Sequence, residues 1–141
     1  VGSEMCIRDS IWTYIDLNTG HPVRISKREE EAYVCHERLD MDYASRKISV
    51  PKERVQKESF PVVRHYLDTN NHVNNGQYVQ MALEYLPEDF QITQMRAEYK
   101  KAALLGDAMV PYLSRGTGSC TVVLCDDSEK PYAIIEFTGK T

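Results

Sequence analysis

Residues 68–75 of this sequence, Asp-Thr-Asn-Asn-His-Val-Asn-Asn, hold one carboxylate, four amides and one imidazole. Asp68, Asn70, His72 and Asn74 alternate strictly. On an extended segment, alternate residues project to one side, so a carboxylate, an amide and an imidazole are expected to face one pocket. An imidazole takes and gives a proton near neutral pH, so His72 can act as a general base. Asp68 can orient that imidazole or activate a water itself, and the Asn70 amide can position water or substrate. Asn74-Asn75-Gly76 reads as a helix start, because Asn is a strong N-cap. The free N–H groups there suit a developing oxyanion. Asn74 and Asn75 can equally brace the loop, and Asp/Asn clusters of this kind also make turns.

Around this stretch the pattern is that of an antiparallel sheet and one helix. Asn75 to Leu86 is expected to be helical, with Gln77, Gln80 and Glu84 as a thin polar stripe on an otherwise apolar surface, ended by Pro87. Phe60 to Tyr66 reads as the strand before it. Four strands are expected after it, over Gln91–Ala102, Ala108–Arg115, Ser119–Asp126 and Tyr132–Thr138. Turns at Leu105-Gly-Asp107, Gly116-Thr-Gly118 and Asp126–Pro131 separate them. A strand, a helix and four strands make an α+β pattern. Upstream, Ile11–Leu17 and His21–Ile25 read as two short strands about the Asn18-Thr-Gly20 turn, with Trp12 as a core anchor. Ser26 to Leu39 reads as a helix, opened by a Ser26/Glu29 capping box and carrying Ala32, Cys35 and Leu39 as a narrow apolar stripe.

Composition narrows the function classes. The chain has 141 residues, 42% of them hydrophobic and 27% charged, an ordinary globular mixture. A net charge of −4 gives no electrostatic case for nucleic acid. No apolar run reaches the length of a membrane span. Cys6, Cys35, Cys120 and Cys125 form neither a CxxC pair nor a metal-ligand spacing, so no metal or cofactor is expected. They read as free thiols of a reducing cytoplasm. Cys120 and Cys125, if on one strand, face opposite sides and cannot pair with each other.

The run Leu67-Asp-Thr-Asn-Asn-His-Val-Asn-Asn-Gly-Gln-Tyr78, with Leu83-Glu84 downstream, resembles the signature of acyl-acyl carrier protein (acyl-ACP) thioesterases. The resemblance extends over roughly residues 11 to 141. It implies a hot-dog fold, a curved antiparallel sheet wrapped around one long central helix. It further implies two such domains in tandem, of which the signature marks the second. On that resemblance, residues 1–10 are expected to be a non-native or disordered leader, 11–57 the remnant of a first hot-dog plus a charged connector, and 58–141 the second hot-dog domain. A tandem protein should be about twice as long, so the chain is expected to be a fragment. The matched positions imply Asp68, Asn70 and His72 as catalytic; Asn74, Asn75, Gly76 and Tyr78, beside them at the helix start, are expected to bind substrate.

The implied activity is hydrolysis of a fatty acyl-ACP thioester in fatty acid biosynthesis, with the acyl carrier protein as partner. A homodimer or other self-association is also expected. Arg96, Lys100 and Lys101, with Lys52, Arg54 and Lys57, are a candidate docking patch for an acidic carrier. One position departs from the family. A catalytic Glu should follow the Tyr99-Lys100-Lys101 triplet, and Ala102 stands there. Ala103 occupies the next place, where the plant enzymes commonly carry Cys. Reduced or altered hydrolysis is therefore expected, with Asp68 as the acid in reach. Two alternatives stay open: a hot-dog acyl-CoA thioesterase, and a non-catalytic acyl-binding hot-dog module.

Overall fold

The computed structural model describes residues 13–34, 36–37, 45 and 47–140. The expected leader, Trp12, Cys6, Cys35 and Leu39 lie outside the described residues. The chain divides into two compact units, Val1–Asp42 and Tyr43–Thr141.

In the first unit, the two expected strands reduce to a single bridge between Ile15 and Pro22. Asp16 closes the turn by accepting from the Asn18 and Thr19 amides. The capping box forms as expected, with Ser26 and Glu29 each accepting from the other's backbone, and it opens α1 (Lys27–Glu30). That helix is much shorter than the pattern suggested. It buries no residue, and Tyr33 and Val34 beyond it are exposed. A single capped turn without a packed face has little to propagate it.

The second unit is an antiparallel sheet with one helix on it. Its elements are β1 (Val55–Gln56), β2 (Phe60–Pro61), a 3-10 turn (Arg64–Tyr66), α2 (Asn75–Leu83), β3 (Gln91–Tyr99), β4 (Ala108–Gly116), β5 (Ser119–Cys125) and β6 (Pro131–Lys140). The strands run in the order β1-β4-β5-β6-β3, with β2 also paired to β4. Every pairing is antiparallel. β4, β5 and β6 form a meander, and β3 crosses to the far edge beside β6.

Strand alternation sorts the core into two faces. Met109, Leu113, Cys120, Val122, Leu124, Ile135 and Phe137 pack on the helix side with Tyr78, Met81 and Ala82. Val110, Tyr112, Val123, Cys125 and Ile134 pack on the other side with Ile48. Cys120 and Cys125 thus sit on opposite faces of β5 as free buried thiols, as their spacing requires.

Three expectations need correction. The helix runs nine residues and stops at Leu83. Tyr85 and Leu86 donate to carbonyls three residues back, and Leu86 precedes Pro87, which disfavours helical backbone there. Only Tyr78, Met81 and Ala82 of α2 are buried, so one face is covered rather than most of the helix. The strand expected over Phe60–Tyr66 ends at Pro61. Val62 is then taken by Asp107 and Gly106, and a 3-10 turn carries the chain to Tyr66, whose carbonyl accepts from Asn74. Finally, β3 ends at Tyr99, because the Lys100 and Lys101 amides both turn to the Tyr132 carbonyl.

Candidate functional site

The polar stretch is a tight reversing loop, not an extended segment. Leu67 bridges Val73, Asp68 N–H donates to the His72 carbonyl at 2.8 Å, and Asn71 sits at φ 59°. Asn tolerates that left-handed backbone better than most residues. The Asp68 carboxylate holds the loop from inside, with Oδ1 accepting from the Asn70 amide at 2.8 Å and the His72 amide at 3.2 Å. Side chains do not alternate here, since a turn replaces the pleat. What brings Asp68 and His72 together is their pairing across the loop, while Thr69, Asn70 and Asn71 form its exposed tip.

A cleft of about 250 Å³ opens beside this loop. Asp68, His72, Asn75 and Tyr78 line one part of it, and Tyr99, Lys100, Lys101 and Ala102 the other. Asn70 contributes no lining side chain, and neither do Asn74 and Gly76. Asn74 is the N-cap of α2, with its side chain accepting from Gly76 N–H at 2.8 Å. That bond occupies the Gly76 donor, so of the two donors expected at the helix start only the Asn75 N–H stays unpaired among the described residues. Bracing is the observed contact of Asn74, as its N-cap chemistry anticipates.

Among the described residues no hydrogen bond reaches the His72 imidazole, so the expected Asp68–imidazole contact is not formed. Asp68 is engaged by backbone amides instead. Glu98, the nearest acid along β3, is turned elsewhere: it accepts from the Ile48 amide at 2.8 Å and pairs with Lys100. Ala102, which carries only a methyl, lines the same cleft as Asp68 and His72. Burial pushes the Tyr78 hydroxyl above its ordinary value, against a smaller opposing pull from the Ala103 N–H. Burial likewise pushes Cys125 up to about 11, and Cys120 upward too. Buried thiols held protonated, away from the cleft, are not nucleophiles.

Tyr99 was missed as a site residue by reasoning from sequence. It packs its ring 5.9 Å from that of Tyr78 and donates to the Asn75 carbonyl at 3.1 Å. Nothing in strand periodicity marks the last residue of an edge strand as a cleft wall. The basic residues considered for docking are largely engaged. Arg54 pairs with Glu129, Arg96 with Glu136, Lys100 with Glu98 and Lys101 with Asp126. Lys52 and Lys57 have no ion pair among the described residues. Also among the described residues, no group of three His, Cys, Asp or Glu side chains stands together as a metal site. No helix there is long and apolar enough to cross a membrane.

A family model described as the acyl-ACP thioesterase C-terminal domain matches residues 49–128, more than half of the chain. Similar solved structures include an acyl-ACP thioesterase from Bacteroides thetaiotaomicron, 18% identical with a TM-score of 0.74, covering 89% of this chain and 53% of that one. A 12:0-ACP thioesterase from Umbellularia californica is 17% identical with a TM-score of 0.68, covering 89% and 51%. A Streptococcus mutans protein solved bound to acetyl CoA is 16% identical with a TM-score of 0.52, covering 67% and 92%. At these identities the likeness is one of fold, a hot-dog thioesterase fold. The chain spans about half the length of the first two. No curated protein matches it.

Proposed function

This chain belongs to the acyl-ACP thioesterase family, by the C-terminal domain of that family, and from that premise we propose that its cleft hydrolyses fatty acyl-ACP thioesters in the cytoplasm. The observation that carries the reading is the pairing of Asp68 and His72 across one loop, on one cleft, at the N-terminus of α2. In this reading residues 11–57 are what is left of a first hot-dog with its connector, and 58–141 are the second. The carrier and a second copy of the chain are the proposed partners.

The chemistry follows from what each group can do. His72 takes a proton from a water whose oxygen attacks the thioester carbonyl carbon. The Asn75 N–H, at the positive end of α2, stabilises the charge that collects on the carbonyl oxygen. The C–S bond then breaks, and the leaving thiolate takes the proton back from the imidazolium. Asp68 supplies negative charge beside that imidazolium while its Oδ1 keeps the loop closed. Asn70, at the loop tip, meets the carrier-linked part of the substrate rather than the reacting carbon.

One observation favours a second reading, a hot-dog module that binds acyl groups without turnover. Ala102 presents a methyl where the resemblance puts a carboxylate, and among the described residues no carboxylate is hydrogen-bonded to the His72 imidazole. Hydrolysis of acyl-ACP and acyl-CoA measured side by side decides between the readings. Slow turnover of acyl-ACP, raised about tenfold or more by Ala102→Glu, is expected, the order a positioned acid contributes. Equal rates in the two chains would overturn the role given to position 102. Faster acyl-CoA turnover would replace the carrier with the coenzyme, and binding without turnover would leave the module reading standing.

A further inference from the structure

The cleft wall that carries Ala102 belongs to no strand, yet its backbone is pinned on both sides of that residue. The Lys100 amide donates to the Tyr132 carbonyl at 2.8 Å. Ala103, fully buried, donates its N–H to the Tyr78 hydroxyl at 2.9 Å and accepts from Val73 N–H at 3.0 Å. Leu104 N–H donates to Asp107 Oδ2 at 2.9 Å, and Leu104 bridges His72. The same Asp107 oxygen accepts from the Tyr132 hydroxyl at 3.1 Å. Tyr132 therefore grips the wall twice, by its carbonyl at one end and through Asp107 at the other. A buried N–H left without an acceptor is costly, so the contacts of buried Ala103 hold the middle of this wall, with those of Lys100 and Leu104 on either side.

We propose that Tyr78, Asp107 and Tyr132 are positioning residues that latch the 100–104 wall against the Asp68–His72 loop and so set the gap in which the thioester reacts. Tyr78 acts in this through the Ala103 amide, not by gripping substrate. The kinetic part of this inference rests on the thioesterase reading; the latch itself does not. Both tyrosines stay protonated in their sites, as burial pushes each hydroxyl above its ordinary value. A phenol is thus the right group to accept a backbone N–H at Tyr78 and to donate to a carboxylate at Tyr132.

The test uses the whole chain and hydroxyl-only deletions. Tyr78→Phe is expected to raise amide exchange at Ala103 by about tenfold or more, the order a lost buried hydrogen bond sets, and Tyr132→Phe to raise it at Leu104 by about threefold or more, since Leu104 N–H keeps Asp107 Oδ2 as acceptor and loses only the hydroxyl that steadies that carboxylate. On acyl-ACP, both variants should lower kcat by about tenfold while KM stays within about twofold, as lost positioning does. Tyr112→Phe, a matched deletion on the opposite sheet face, should change neither quantity. Wild-type protection at 103 and 104 in both variants would overturn the latch, and so would loosened amides with kcat intact. Should Tyr78→Phe not fold, Tyr132→Phe alone decides on the same criteria. If the wild-type chain hydrolyses no thioester, the thioesterase reading fails separately. The latch is then judged by alkylation of Ala102→Cys, whose rate must shift about threefold or more when Tyr132→Phe is added.

Discussion

Asp68 combines two duties that substitution can separate. Its Oδ1 accepts from two backbone amides, and its charge lies on the cleft. Asparagine keeps an acceptor oxygen and loses the charge; alanine loses both. Asp68→Asn is therefore expected to keep the melting temperature within a few degrees and to reduce thioester turnover by about a hundredfold. Asp68→Ala should lose turnover and also melt earlier, by the order of 1 kcal/mol for a side-chain contact that is partly exposed. Thermal melts and turnover of the two variants, compared directly, check this. If Asp68→Asn turns over normally, the carboxylate serves the loop alone.

At the scale of elements, the site depends on where α2 begins. A nine-residue helix is too short to hold itself, so it needs the cap at one end and the packing of Tyr78, Met81 and Ala82 along one face. Each such side chain stabilises by about 1.5–3 kcal/mol when fully buried, Ala82 by less. The Asn74 cap adds about 1 kcal/mol. Asn74→Ala is expected to lower the melting temperature by about 4–8 °C, the shift that 1 kcal/mol produces in a domain of this size. It should also free the Gly76 N–H beside the cleft. Substituting Asp at this position should restore the melting temperature, because its carboxylate caps equally well. A melting curve unmoved by Asn74→Ala would show that the loop, not the cap, places the helix.

For the whole molecule, the sheet is closed at its surface by paired charges with a defined pH response. Lys101 first, then the Lys130 and Ser128 amides, hold Asp126 below its ordinary value of 3.8. Burial works against ionisation of Glu98, but Lys100 and the Ile48 amide outweigh it and hold the carboxyl below 4.5. Folded values below unfolded ones mean a contribution that is complete above those ordinary values and is lost as pH falls through the depressed ones. Melting temperature should therefore fall steeply on the acid side of pH 4.5, and the Glu98→Gln chain should show a shallower fall. Salt should flatten both curves, since Asp126 and Lys101 are solvent-screened. Equal acid limbs in the two chains would remove Glu98 from this account.

The sequence by itself determined the presence and near bounds of strands β4 to β6, because alternating apolar residues are separated by two turns rich in Gly, Asp and Ser; the register shift at Leu124/Cys125 was not legible there. It determined the start of α2, since Asn74 can cap only one residue's worth of chain. The spacing of Cys120 and Cys125 settled that they face apart. The turn at Asp68 is local too: its carboxylate takes the amides two and four residues on, as Asp/Asn clusters do, which strict alternation overlooks. Tertiary structure decided the rest. Tyr99 enters the cleft, and Glu98 leaves it, because β3 ends where the Tyr132 carbonyl captures Lys100 and Lys101. The end of α2 was set locally, by the residue before Pro87, and α1 stops after one turn in which no residue is buried. Local patterns name the groups available for chemistry and close the Asp68–His72 loop; the wall opposite that loop is fixed by hydrogen bonds between residues far apart in the chain, and those form only when the sheet does.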